Sequence, residues 1–191
     1  MEMQKIAVKI FTEKPDRVPL TDFIDVFHGW IQASDGFYHD VADYSHMQAG
    51  PGIVLVANSA NVGIDETGNR RGLLLTQKTH VNGSNSQALK ETLRSALESC
   101  SKLENDPKLK GEIKFSGDEI VFAINDRLTA PNDAAAFAEL AREVESLSQK
   151  LFAGAAFTVQ RDSDPRQRLN VTVKADQNFD TTALLVNLQR T

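Results

Sequence analysis

The apolar residues of this chain change their spacing from one segment to the next, and this change most constrains the fold. Residues 5–12 are rich in β-branched and aromatic side chains and stop at a turn containing Pro15, which predicts a strand. From Leu20 the apolar residues fall on one helical face, which predicts a helix that ends before Gly36. Helix and strand patterns, including hairpins, alternate along the rest of the chain. This order argues against a purely parallel, doubly wound sheet.

The remaining elements follow from the same patterns. In the first half we predict strands at 39–46 and 53–58, a hairpin at 61–66 and 72–79, and a helix from Ser84, its cap, to 103. In the second half we predict a compact hairpin at 112–115 and 119–124 across 116–118, and a helix that ends at 151 and is capped by Asn132 or Asp133. Two strands at 156–160 and 168–175, around a turn at 162–165, and a weak helix at 181–190 complete the chain. We therefore predict an α+β fold, with a mixed β-sheet or two small sheets and the helices packed on one face.

The polar connector after Asp106 is the best candidate for an internal boundary. It divides the chain into a first α+β half at 1–107 and a second α+β half at 108–191. The alternative is that the two halves form one compact domain. Both halves show the order β-α-β-β, and Ile6/Ile120, Ile10/Ile124 and Phe23/Phe137 share one sequence offset. The pattern indicates two pseudo-repeated β-α-β-β halves, although three identities do not establish a duplication.

Composition narrows the class of protein. Of 191 residues, 41% are apolar and 25% charged, which is typical of a globular chain, and the formal net charge of −5 argues against nucleic acid and anionic membranes as partners. Cys100, the single cysteine, excludes an internal disulfide and a cysteine-built zinc site. No apolar run approaches the length of about 18 residues that a membrane span needs. We predict a cytoplasmic protein without a membrane anchor.

The densest polar segment runs from His39 to His46. If it is a strand, Asp40, Tyr44 and His46 face the same way and offer a carboxylate, a phenol and an imidazole. Such a set suits acid/base chemistry, because histidine titrates near neutrality and an aspartate can orient it. The simpler interpretation is a solvated strand edge.

The loop after residue 124 gives a second candidate. Arg127, supported by Asn125, could present its guanidinium to an anionic ligand. The alternative is an Asx-type turn that leaves Arg127 exposed or paired with Asp126. The sequence has no metal-ligand spacing, no nucleophile elbow and no glycine-rich phosphate loop leading into a helix, so we predict neither a metal nor a cofactor.

Four short sequence segments resemble those of a known group of proteins. They are residues 9–13, residues 27–32, residues 40–46 with Gly50-Pro51-Gly52, and residues 124–132. Together they resemble an uncharacterised family of bacterial proteins of similar length, and the similarity extends over most of the chain. The resemblance implies a bacterial, cytoplasmic, single-unit protein and carries no activity with it.

Two hypotheses for function follow. The first is a non-catalytic binding or interaction protein, with a homodimer expected if an apolar helix face is left unused. The alternative is an enzyme that acts on a small polar or anionic metabolite by acid/base chemistry at a sheet edge. It would use Asp40, Tyr44 and His46, with Arg127 holding the anion, and therefore needs both segments to share one pocket.

Overall fold

A computed structural model describes residues 2–162, 164 and 166–190. In chain order its elements are β1 (Ile6–Thr12), α1 (Asp22–Gln32), β2 (Tyr38–Tyr44), β3 (Gly52–Ala57), β4 (Ala60–Asp65), β5 (Gly72–Gln77), α2 (Asn85–Glu104), β6 (Phe115–Ile124), α3 (Ala134–Leu151), β7 (Phe157–Gln160), β8 (Asn170–Ala175) and α4 (Thr181–Gln189). Short 3-10 helices occupy Thr67–Asn69 and Pro107–Leu109. Of the predicted turn between β7 and β8, Ser163 and Pro165 lie outside the described residues.

All eight strands form one sheet in the order β2-β3-β4-β5-β1-β6-β8-β7. Every described strand pair is antiparallel, so the prediction of a mixed sheet is wrong. The alternation of helix and strand patterns predicts the class, and the α+β fold is confirmed. It does not determine strand direction, because pairing joins segments that are distant in sequence.

The predicted hairpin at 112–124 is wrong, because Phe115–Ile124 is a single strand. Ser116-Gly117-Asp118 resembles a turn, but Gly117 lies inside β6, where a Cβ would come within 2.2 Å of the Phe179 carbonyl oxygen. The Gly117 amide donates to Asn178 Oδ1 at 2.9 Å, and the register with β1 shifts between Ile10 and Thr12. The glycine therefore allows a close approach of backbone at a β-bulge and does not reverse the chain.

Side-chain caps start three of the four helices. Ser84 and Gln87 form the predicted capping box of α2, Asp133 accepts from the Ala136 amide at the start of α3, and Asp180 accepts from the Ala183 amide at the start of α4. Thr21 precedes α1 without a side-chain cap, and Asp22 and Asp25 instead place negative charge at its first turn.

The helices pack on one face of the sheet, as predicted. Ile6, Val8 and Ile10 of β1 are fully buried in a core shared with the apolar stripes of all four helices. Trp30 and Cys100 belong to this core. The alternate residues of β1, Ala7, Lys9 and Phe11, point to the opposite face, which we call the open face.

The two predicted halves share this sheet, since β1 pairs with β6 across the proposed boundary. Ile6 pairs with Ile124, Val8 with Phe122 and Ile10 with Ile120. A two-fold rotation about the centre of the Val8–Phe122 pair would therefore relate Ile6 to Ile120 and Ile10 to Ile124. These are the same residue pairs that the predicted repeat relates. Four strands lie between the helices of the first half and two between those of the second, and the duplication stays a prediction.

A homodimer is expected if one of the helices leaves an apolar face unused. Within the described residues, the buried stripes of α1 to α4 all join the one core, so the helices offer no such face, and the homodimer itself stays a prediction. None of the helices that the structure describes combines the length and the hydrophobicity needed to cross a bilayer.

The burial of Cys100 gives a testable expectation. Its side chain is fully buried, and burial, with a smaller contribution from the negative charge of Glu104, raises the pKa of the thiol well above its ordinary value. Because the thiolate is the reactive form, we expect no reaction with 5,5′-dithiobis(2-nitrobenzoate) in the native protein and one thiol per chain after unfolding in guanidinium. Rapid labelling of the native protein would contradict this burial.

Candidate functional site

The polar segment at β2 is a solvated strand edge. Asp40 and Tyr44 lie on β2 and, as predicted, on the same face of the sheet, since they pair with Val56 and Gly52 of β3. His46 follows the end of the strand, and all three side chains are exposed. The Asp40 carboxylate accepts a hydrogen bond from the neighbouring Val41 amide, 2.8 Å away. The geometry of this segment therefore supports the simpler interpretation, a solvated strand edge without a catalytic role.

The loop after β6 is the predicted Asx-type turn. Asp126 Oδ1 accepts from the Leu128 amide at 3.1 Å, and Arg127 is exposed and donates to the Arg166 carbonyl oxygen. Asn125 is also exposed, and its Oδ1 accepts a hydrogen bond of 3.1 Å from Arg168.

The two predicted groups do not share a pocket. β2 and β6 are separated by four strands, which corresponds to five spacings or about 24 Å across the sheet. With every pairing antiparallel, β2 and β6 also run in opposite directions, so His46 and Arg127 follow strands that end at opposite edges. The acid/base site that combined Asp40, Tyr44 and His46 with Arg127 is therefore excluded. Strand order, which the sequence does not determine, is the reason.

A different site lies on the open face. A cavity of about 480 Å³ lies over the centre of the sheet, and its described lining comes from six strands and their connections, with no residue from the four α-helices. Ala7 and Ala123, a directly paired couple on β1 and β6, are part of its floor beside Leu74 and Val121. The small alanine side chains leave a hollow where larger residues would fill the surface. Its volume falls in the range of small-molecule sites.

A buried ion pair lies at one end of this cavity. Lys9 Nζ is 2.5 Å from Asp65 Oδ2 and donates to the Thr67 carbonyl oxygen at 3.1 Å. The Asp65 carboxylate also accepts from the Thr67 amide and hydroxyl, at 3.1 and 2.8 Å. The side chains of Lys9 and Asp65 are only 11% and 4% exposed. These contacts fix the start of the β4–β5 connection over β1.

Arg70, at the end of that connection, forms a flat wall of the cavity. Its guanidinium lies 3.7 Å from the ring centroid of Phe11, and two hydrogen bonds of 2.6 and 3.1 Å join it to Glu119. The hydrogen bonds to Glu119 raise the pKa of Arg70 further above its already high value. One face of the guanidinium covers Phe11, and the side chain, which is 53% exposed, belongs to the lining of the cavity.

Two further arginines lie at the opposite end, beside the β7–β8 connection. Arg161 donates from Nε to Asn132 Oδ1 and from a terminal nitrogen to the Asn132 carbonyl oxygen, and Arg168 donates to Asn125. Within the described part of the chain, neither guanidinium is paired with a carboxylate. Their positive charge is therefore oriented by neutral partners and is not cancelled by them.

Of the predicted residues, only Asn125 contributes to this region, through its hydrogen bond to Arg168. From the sequence, Lys9 is not identified as a site residue, because a single lysine within residues 5–12 resembles an interruption of an apolar strand. The alternation along β1 could have identified it: residues 6, 8 and 10 are all aliphatic, so a lysine at position 9 points to the face away from the core. Arg161 and Arg168 carry no comparable local signal.

A second cavity of about 300 Å³ lies beside α2, between Lys102 and the aromatic residues Phe37 and Tyr38. Lys102 Nζ is 3.9 Å from the Trp30 ring centroid, and burial lowers the pKa of this lysine. The described lining holds one cation, Lys102, and one carboxylate, Glu98, so this cavity lacks the excess positive charge of the open-face cavity.

No group of three or more potential metal ligands occurs among the residues that the structure describes. The sequence matches no protein-family model, and no curated protein shows significant similarity to it. The assignment of the open-face cavity as the candidate site therefore depends on the geometry of the structure alone.

Removing one partner of the Lys9–Asp65 pair tests how tightly this end of the cavity is built. We expect Asp65→Asn to lower the free energy of unfolding by about 3–5 kcal/mol, because it leaves a lysine charge buried without a counter-ion. Glu98→Gln, which breaks the exposed pair with Arg94, is the matched control and should cost no more than about 1 kcal/mol. Guanidinium denaturation measures both. Equal losses in the two variants would show that the Lys9–Asp65 pair behaves as a surface pair.

Proposed function

We propose that this protein is a non-catalytic binding protein that holds a small organic anion in the open-face cavity. The observation that carries the proposal is the local charge. The described lining contains four cations, Lys9, Arg70, Arg161 and Arg168, against two carboxylates, although the whole chain has a net charge of −5. Positive charge concentrated in a partly apolar hollow selects anions with an apolar part.

The state of each charged group assigns the anion to one end of the cavity. Asp65 neutralises Lys9, and Glu119 neutralises Arg70. Arg161 and Arg168 keep their charge and hold unused N–H donors, and guanidinium groups suit the planar, bidentate recognition of a carboxylate or phosphate. The oxyanion therefore binds at Arg168, and Arg161, whose guanidinium lies over the Phe137 ring of α3, adds positive charge nearby.

The polar groups of the cavity favour binding over catalysis. The described lining includes no histidine or cysteine, and its most buried carboxylate and amine are joined to each other. A general acid or base needs a free titratable group within reach of the ligand. Asp162 is exposed at the rim, and among the described residues it has no cationic partner comparable to the one that Asp65 has in Lys9.

Isothermal titration calorimetry with phenyl phosphate at low ionic strength tests this function. We expect Arg168→Gln to weaken binding about tenfold, because one charge-assisted contact is lost, and added salt to weaken binding further. Arg142→Gln makes the same change of charge on the exposed face of α3 and should leave binding unchanged.

Three results would overturn the proposal. The first is the absence of any heat of binding with the native protein, and the second is equal binding by the two arginine variants. The third, release of phenol on prolonged incubation with native protein but not with Arg168→Gln, would reject the non-catalytic part.

A further inference from the structure

The open-face cavity has two chemically different ends, and their difference defines the ligand more closely. Along β1, Phe11 and Ala7 mark the two ends and lie four residues apart, a separation of about 13 Å. Arg70 stands at the Phe11 end, while Arg168 and Asn170 stand at the other. A ligand that uses both ends must be extended.

Arg70 is unsuited to bind the anion. Both of its terminal nitrogens donate to the Glu119 carboxylate, at 2.6 and 3.1 Å, so its charge is neutralised and the edge formed by these two nitrogens is occupied. One face of the guanidinium covers Phe11 at 3.7 Å, and the side chain is about half exposed and belongs to the cavity lining, which leaves room for a ring on the second face. A guanidinium held flat in this way stacks on aromatic rings.

The floor at the Arg168 end is formed by small side chains. Ala7 and Ala123 are paired across β1 and β6, Ala123 pairs with Asn170 of β8, and all three lie in the lining. With only a methyl group at each alanine position, an oxyanion can approach the sheet closely beside Arg168.

Resting on the proposed function, we infer that the ligand is an aromatic ring joined through a spacer of several atoms to a phosphate or carboxylate. The ring stacks on Arg70, and the oxyanion binds Arg168 above the alanine pair at the other end. Nucleoside monophosphates have this two-ended chemistry. Arg70 then determines specificity for the ring, while Arg168 supplies affinity for any small oxyanion.

The test compares three probes by calorimetry: adenosine 5′-monophosphate, adenosine and inorganic phosphate. We expect the nucleotide to bind at least tenfold more tightly than either part alone. Arg70→Lys keeps the charge and an ion pair with Glu119 but removes the plane, and should weaken nucleotide binding about three- to tenfold while leaving phosphate binding unchanged. Arg168→Gln should weaken both.

Phe11→Leu provides an independent variant should Arg70→Lys fail to fold, since it removes the ring that the guanidinium covers and leaves the helix-facing core intact. It should also reduce nucleotide binding and spare phosphate binding. Phosphate binding that depends on Arg168, together with nucleotide binding no tighter than phosphate, would overturn the two-ended ligand and leave the proposed function standing. Equal losses for both probes in Arg70→Lys would likewise overturn the stacking role. No binding of any probe would reject both proposals.

Discussion

The antiparallel pairing of β1 with β6 is the interaction on which the rest of the structure depends. It joins the two halves of the chain into one sheet and lies at the centre of both faces. Because side chains alternate along a strand, β1 supplies Ile6, Val8 and Ile10 to the helix-facing core and Ala7, Lys9 and Phe11 to the open face. A slip of one residue would move Lys9 into the apolar core, and the cost of burying that charge fixes the register.

The ion pair of Lys9 and Asp65 connects this register to the candidate site. Buried ion pairs contribute little net stability compared with apolar residues of similar size, so stability alone gives a weak reason for this one. Its partners give a stronger one. Lys9 and Asp65 both bind Thr67, which begins the short 3-10 helix that leads to Arg70, and Arg70 then covers Phe11 on the same strand as Lys9. The pair thus holds the connection that carries the flat wall of the cavity.

The sequence predicts most of the local structure and little of the site, for one physical reason. Caps and apolar spacing are local, so Ser84, Asp133 and the strand at β1 could be recognised, as could the burial of Cys100. Pairing is not local. Gly117 resembles a turn until Phe179 is brought against it, and Asp40 and Arg127 resemble a shared site until strand order separates them. Arg161 and Arg168 become site residues only because β8 pairs with β6 and β7 pairs with β8.

The distribution of charge also selects ligands by size. At physiological ionic strength, electrostatic interactions between exposed groups fade over about 8 Å, so an anion within the cavity interacts mainly with its lining. A long polyanion such as nucleic acid would extend beyond the cavity onto a protein of net charge −5, and it would lose there what it gains from Arg161 and Arg168. A small anion avoids that repulsion. The acidity that argues against nucleic acid as a partner and the basic lining of the cavity therefore act together, and both favour a compact ligand whose charge sits at one end.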